Sequence, residues 1–273
     1  DFALNEDYPW IAGQFVWTGF DYLGEPTPYD TDAWPNHSSM FGIIDLASLP
    51  KDRFWLYRSQ WNKEDHTLHV LPHWNWKEGQ NVPVYVYTDY PTAELFVNGV
   101  SLGRQTKAVP VEPTTGDRRD KEIMKRFRLM WEEVKYVSGE IRVVAYDANG
   151  YPKMEKIVKT AGKPHHIELS TYRASLDADG KDLAYVTVKV VDKDGNLCPL
   201  DGRLMTFSVD GAGVYRASAN GDPTCLDIFH EPQMHAFGGM LTVIVQAGET
   251  PGDVTLTVNA KGLKPASLTL PVE

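Results

Sequence analysis

The chain has 273 residues, enough for about two domains with real hydrophobic cores. Its 27 basic and 37 acidic residues give a net charge of -10, which argues against partners such as nucleic acid or a membrane surface. No apolar run approaches the roughly 18 residues of a membrane span, and two cysteines are too few for a disulfide scaffold or a cysteine-rich zinc module. Cys198 and Cys225 could pair across a sheet, but free buried cysteine is common and sequence cannot decide.

The N-terminus resembles the interior of a longer polypeptide. The chain opens on Asp1 and shows no basic region followed by an apolar one, so no signal peptide is visible. We therefore expect a fragment whose N-terminal part is missing.

The first 64 residues predict one strand and one helix. Residues 12–17 are short and almost wholly apolar or small, as in a strand buried on both faces. A loop rich in Pro, Asp and Asn follows. Residues 50–61 then predict a helix, with Pro50 in its first turn and an aromatic face formed by Phe54, Tyr57 and Trp61. A single βα unit cannot form a domain, so this unit needs partners from elsewhere.

Residues 65–162 change to the two-residue period of half-buried strands, with turn signals between them. The pair Asn98-Gly99 between two apolar runs predicts a hairpin. Residues 110–121 are polar and predict an exposed loop. Several short strands joined by turns indicate an antiparallel β-sandwich. The residues expected in its core are Val84, Val86, Phe127, Leu129, Ile141 and Val143.

Residues 163–273, which follow the break at Gly162-Lys163-Pro164, show the same two-residue alternation with turn signals between the runs. Their length and alternation predict a second sandwich of the immunoglobulin-like kind. The residues expected in its core are Val186, Val188, Val190, Val254, Leu256 and Val258. The fold expected for the chain is therefore mainly β.

The chemistry-bearing residues form no complete catalytic site. We find no glycine-rich phosphate loop, no HExxH and no Gly-x-Ser-x-Gly. The eight histidines are scattered without metal-ligand spacing. The sequence therefore predicts no cofactor and no metal.

The segment 15–26 differs from its surroundings. Trp17 and the polar residues after it lie at the carboxyl end of the predicted strand. In barrel enzymes, the active site lies at this end of the strands. Trp17 is either the floor on which a sugar ring stacks or a core tryptophan, and these readings weigh equally. Asp21 is a candidate polar contact to substrate. Asp21 and Glu25 could suggest a glycosidase carboxylate pair, but their positions at a turn and before a proline favour loop capping.

Several motifs carry a family resemblance. The run Phe15 to Pro28 resembles the eighth barrel strand and following loop of glycoside hydrolase family 2, especially its Bacteroidetes-type β-galactosidases. Ser38 to Asp45, followed by Pro50-Lys51-Asp52, resembles the loop and last barrel helix of that group. The motifs at 72–76 and 94–103 are similar to its next sandwich, and the motif at 219–224 is similar to its final immunoglobulin-like domain. The resemblance covers essentially the whole chain.

The resemblance implies three parts: the end of a (β/α)8 TIM barrel in 1–64, a sandwich in 65–162 and a C-terminal sandwich in 163–273. Trp17 matches the strand-eight tryptophan that lines the galactosyl subsite. The two catalytic glutamates of this retaining family precede that strand, so we expect no catalytic residue here.

The parent protein implied is a β-galactosidase acting on terminal β-linked galactose of oligo- or polysaccharides. It would be periplasmic or extracellular in a bacterium, and it could form a homo-oligomer. Two alternatives remain: a tandem-sandwich carbohydrate-binding or adhesion module, and a β-glucuronidase or β-mannosidase relative. A binding array has no reason to carry residues 1–64. A glucuronidase should offer basic residues near the sugar carboxylate, and residues 21–25 offer only acids.

Overall fold

The computed structural model describes residues 1–25, 36–110, 112–114 and 121–273. The chain divides into two compact units, one formed by residues 1–19 and 50–160 and the other by residues 20–49 and 161–273. The expectation of a mainly β chain with antiparallel sheets is confirmed. The three-part division at residues 64 and 162 stays a prediction.

The described elements of the first unit are α1 (Phe2–Asp7), α2 (Asp52–Trp61), β1 (Leu68–Leu71), β2 (Asn81–Thr88), β3 (Thr92–Val97), β4 (Val100–Thr106), α3 (Lys121–Phe127), β5 (Leu129–Lys135), β6 (Glu140–Tyr146) and β7 (Pro152–Lys159). The strands form two sheets, with strand orders β1-β2-β5 and β4-β3-β6-β7, and every pair in them is antiparallel.

The core of this unit lies between the two sheets, because alternate side chains of each strand point inward. All six residues predicted for the core are buried. Trp74, on the loop after β1, is fully buried among them. Phe127 is buried for another reason than predicted, since it ends α3 instead of starting a strand, and it packs with Leu56 and Tyr87.

The hairpin predicted at Asn98-Gly99 joins β3 to β4. Both turn residues have positive φ, 46° at Asn98 and 82° at Gly99, the backbone that a two-residue hairpin turn requires and that Asn-Gly tolerates. Asn98 also accepts a hydrogen bond from Glu140 N at 2.8 Å and donates one to Ser138 O at 3.0 Å. The turn is therefore tied to the neighbouring strand.

The predicted helix over 50–61 is present as α2, but its buried face is different. Leu56 and Ser59 are buried, whereas Trp61, expected on the inner face, is about half exposed. The strand predicted over 12–17 is wrong. A strand needs ladder hydrogen bonds from a neighbour, and no described residue pairs with this segment, which is irregular.

Helix α1, which the sequence analysis missed, is held by an ion pair. Arg126 donates to both carboxylate oxygens of Asp7 at 2.8 Å, and both side chains are largely buried. Thr114 N donates to the same carboxylate at 2.8 Å. These hydrogen bonds, those of the arginine first, hold the pKa of Asp7 below its ordinary value. Of the loop predicted over 110–121, residues 111 and 115–120 lie outside the described residues, and Thr114 is buried instead of exposed.

The strands of the second unit are β8 (His166–Ser170), β9 (Leu183–Val191), β10 (Leu204–Gly211), β11 (Gly213–Ala219), β12 (Gln233–His235), β13 (Met240–Ala247), β14 (Gly252–Ala260) and β15 (Ala266–Val272). They form two further antiparallel sheets, with strand orders β12-β10-β14-β15 and β11-β13-β9-β8. All six residues predicted for the core of this unit are buried, and both sheets contribute to that core. Cys198 is buried, Cys225 is half-buried, and both thiols are free.

Candidate functional site

Trp17 lies in the irregular segment after α1, and its side chain is 70% exposed. Phe15, two residues earlier, is fully exposed. The indole of Trp17 is therefore accessible in this chain. An exposed indole offers the apolar face on which the C–H face of a pyranose ring can stack. Its contact with a sugar stays a prediction.

Asp21 lies in the second unit, and its side chain is buried. One carboxylate oxygen accepts a hydrogen bond from Gly42 N at 2.8 Å and lies 3.4 Å from the Ser39 hydroxyl. Asp21 N in turn donates to Ile44 O at 2.9 Å. Asp21 thus joins two stretches of chain, 20–25 and 36–45, which is the loop-capping role that its sequence position favours. Its role as a substrate contact stays a prediction.

Gly42 has no room for a side chain. A Cβ at this position would lie 2.4 Å from Asp21 N and 2.7 Å from a carboxylate oxygen of Asp21. The two stretches therefore approach each other more closely than any residue other than glycine allows. The motif Phe41-Gly42-Ile43 in the sequence gives no direct sign of this contact.

The two stretches are joined at further points. Ser39 N donates to Tyr22 O at 2.9 Å, and Tyr22 N donates to the Ser39 hydroxyl at 3.1 Å. Leu23 and Ser38 form an antiparallel bridge. The Tyr22 hydroxyl donates to the Glu25 carboxylate, so Glu25 is engaged locally, in agreement with loop capping.

The segment 36–49 also packs on the sandwich of the second unit, which sequence reasoning missed. His37 N donates to Pro223 O at 2.9 Å, and the buried Thr242 hydroxyl donates to Ala47 O at 2.7 Å. A Cβ on Gly221 would lie 2.2 Å from a carboxylate oxygen of Asp45, so these two segments of the chain are in close contact there as well. The residues of the motif 219–224 give no direct sign in the sequence of the segment on which they pack.

The first unit has a cleft of about 460 Å³ between α1, α2 and residues 12–14. The rings of Phe2 and Trp61 form one part of its lining, and the amides of Asn5, Gln14 and Gln60 form another. Trp17 is not among its lining residues.

The described ranges contain no group of three or more His, Cys, Asp or Glu side chains that could hold a metal ion. Within the same ranges, no helix combines the length and the hydropathy that crossing a bilayer requires.

Comparison with known families gives two matches along the chain. Residues 167–269 match the model of glycoside hydrolase family 2 C-terminal domain 5. Residues 79–152 match a domain of unknown function, DUF4982. Each match falls within one of the two predicted sandwiches.

Two curated relatives have named activities. The chain is 41% identical to beta-galactosidase BoGH2A of Bacteroides ovatus over 99% of its own length and 29% of that protein. It is 33% identical to a putative beta-glucuronidase of Formosa agariphila over 81% of its length and 20% of that protein. The chain thus spans less than a third of these relatives.

Among solved structures, a beta-glycosidase from Bacteroides vulgatus matches 97% of this chain with a TM-score of 0.82 and 32% identity. The match covers 31% of that structure. The fold described above is therefore similar to that of the corresponding third of this structure.

Proposed function

The chain belongs to glycoside hydrolase family 2, and on this basis we propose that it is part of a retaining β-galactosidase that removes terminal β-linked galactose from oligo- or polysaccharides. The carrying observation is the 41% identity to a protein named beta-galactosidase over 99% of this chain. The remainder of the same polypeptide, supplying the rest of a TIM barrel, is the partner this proposal requires.

In this proposal, Trp17 is the stacking surface for the galactosyl ring. Its support is the exposed indole at the position where the family resemblance expects the subsite. Asp21 is the second candidate contact to substrate; its carboxylate accepts a hydrogen bond from Gly42 N, which fixes residues 20–25 against segment 36–45 within the second unit. The acid/base and nucleophile glutamates belong to the remainder of the polypeptide, since a retaining mechanism needs two carboxyl groups about 5–5.5 Å apart.

A β-glucuronidase is the second candidate, because relatives carry that name. The described residues 20–25 favour a neutral sugar instead, since they include two acidic side chains and no cationic one that could pair with a sugar carboxylate. A β-mannosidase and a purely carbohydrate-binding module are weaker candidates. For the whole protein we propose a periplasmic or extracellular location, with a homo-oligomer as one possible assembly.

The test is hydrolysis by the whole polypeptide of three aryl β-glycosides, the galactoside, glucuronide and mannoside. We expect the galactoside to give the largest kcat/KM. Trp17→Ala should raise KM for it, because stacking is lost, while Phe15→Ala serves as a matched control on the same segment. A preference for the glucuronide would transfer the proposal to the second candidate, and binding without hydrolysis would favour the binding module.

A further inference from the structure

The chain contains three Asn-Gly pairs, Asn98-Gly99, Asn149-Gly150 and Asn220-Gly221. In such a pair the asparagine side chain can react with its own backbone, because glycine has no Cβ to keep the next backbone nitrogen away from the asparagine Cγ. The reaction releases ammonia and turns the amide into an acid. It requires the side chain to rotate until Cγ and this nitrogen are in near-attack contact, so hydrogen bonds to the side chain set its rate.

The Asn220 side chain is held in the interior of the second unit. The residue is 4% exposed. Its amide group donates to His235 O at 2.8 Å, and its carbonyl oxygen accepts from Asp222 N at 3.0 Å. Both ends of the side chain are thus engaged, and it cannot reach Gly221 N unless this part of the sandwich opens.

The Asn98 side chain is exposed but also held at both ends. As described above, it accepts a hydrogen bond from Glu140 N and donates one to Ser138 O. A Cβ on Gly139 would lie 2.0 Å from the Asn98 carbonyl oxygen, so the side chain is packed against the neighbouring turn as well. Rotation towards Gly99 N therefore breaks two hydrogen bonds.

The Asn149 side chain differs from the other two, because it is exposed and no described residue forms a hydrogen bond with its amide. Its backbone, in the turn between β6 and β7, is ordered: Asn149 N donates to the Asp147 carboxylate at 2.9 Å, and Gly150 N donates to Asp147 O at 3.0 Å. The second of these bonds must open for reaction, and at an exposed turn water can replace it.

We propose that Asn149 is a deamidation site of the folded protein, with Gly150 N as the nucleophile. The nitrogen attacks Asn149 Cγ while its proton passes to water, and the bond from Cγ to Nδ2 breaks with release of ammonia. Water then opens the cyclic imide. Opening at Cγ gives aspartate, and opening at the backbone carbonyl carbon gives an isoaspartyl residue, in which the main chain runs through the former side chain.

Either product places a new carboxylate close to that of Asp147. The Asp147 carboxylate accepts hydrogen bonds from Tyr151 N and Asn149 N and lies 3.2 Å from Lys153 Nζ. These contacts, that of Tyr151 N first, hold the pKa of Asp147 below its ordinary value. Two ionised carboxylates then share one turn at neutral pH. Because β7 is an edge strand, we expect its amide hydrogens next to the turn to exchange faster after the reaction.

The experiment incubates the folded whole polypeptide in mildly alkaline buffer and follows conversion of amide to acid at the three asparagines by mass spectrometry of digested samples. Asn149 should convert roughly tenfold faster than Asn98, since the Asn98 side chain must first give up two hydrogen bonds. Asn220 should convert most slowly. The same polypeptide unfolded in urea is the matched control, and there the three sites should convert at similar rates.

The variant Asn149→Gln assigns the fast reaction, because its longer side chain would have to close a less favourable six-membered ring. It should abolish the fast conversion and leave the rate at Asn98 unchanged. Conversion at Asn98 as fast as at Asn149 in the folded protein would overturn the proposal. The same order of rates in urea would overturn it too, since flanking sequence would then set the rates. The test uses no substrate, so neither result bears on the glycosidase function.

Discussion

Replacing Thr242 by valine removes one buried hydrogen bond at nearly constant volume. The Thr242 hydroxyl, on β13, donates to Ala47 O at 2.7 Å, and both residues are almost fully buried. Valine cannot donate, so the carbonyl of Ala47 loses this partner without gaining access to water. An unsatisfied buried acceptor costs about 1–3 kcal/mol.

The expected consequence can be measured in two ways. For a unit of this size, each kcal/mol lowers Tm by about 2–4 °C, so the transition of the second unit should fall by about 2–12 °C in calorimetry. Amide hydrogens of residues 43–49 should also exchange faster, since the hydrogen bond ties this segment to the sandwich. A lower Tm without faster amide exchange in residues 43–49 would mean that the hydrogen bond stabilises the sandwich but does not hold this segment on it.

Thr255→Val is the matched control. The Thr255 hydroxyl bonds that of Thr269 at 2.8 Å on the solvent-accessible side of β14 and β15. Its loss should change stability by less than about 0.5 kcal/mol, because water can replace the partner. Equal Tm values for the two valine variants would refute the claim that segment 36–49 is anchored through Thr242.

Three further predictions follow from the described contacts. Burial alone would raise the pKa of Asp192, but hydrogen bonds from Gly162 N, Asn196 and Asp194 N outweigh this effect and hold the pKa well below its ordinary value. Ionised Asp192 therefore stabilises the fold above about pH 4, and this stabilisation is lost as the pH falls through the pKa of the folded state. Asp192→Asn should therefore lower the free energy of unfolding at pH 7 by about 1.5–3 kcal/mol, with the difference from wild type shrinking below pH 4 in urea titrations, whereas the matched exposed variant Asp194→Asn should not. The chain alone should hydrolyse no aryl β-galactoside, because positioned acid and nucleophile supply most of the acceleration, and turnover by the pure chain would contradict the family assignment of its segments. Exposed aromatic rings near Trp17 should make the chain self-associate in sedimentation experiments, with indole fluorescence quenched by iodide; a clean monomer at high concentration with unquenched Trp17 would show that this surface is covered.

Local signals were sufficient for much of the β structure. Alternation with period two correctly placed eleven of the twelve predicted core residues on strands with buried side chains, because one face of each strand must leave water; the twelfth, Phe127, is buried at the end of α3. The Asn98-Gly99 pair located a hairpin, because its turn needs two residues with positive φ.

The predictions were wrong where the secondary structure of a segment depends on residues far away in the sequence. Residues 12–17 have strand composition, but strand structure is a property of a pair, and no described residue supplies the other half. Helix α1 is too short to be stable alone and owes its place to Arg126, 119 residues beyond Asp7. Phe127 alternates correctly for a strand, yet it is the last residue of α3, and its buried ring lies in a cluster with Leu56 and Tyr87.

The candidate site likewise has features that the sequence indicates and features that only the tertiary structure shows. Sequence alone pointed to Trp17 and Asp21, because their residue types suit sugar stacking and loop capping. Only the tertiary structure shows that the buried carboxylate of Asp21 accepts a hydrogen bond from Gly42 N. It alone also shows that segment 36–49 packs on the last sandwich. The physical reason is that each contact joins groups far apart in the chain, by hydrogen bonds and close approaches that leave no periodic trace in the residues between them.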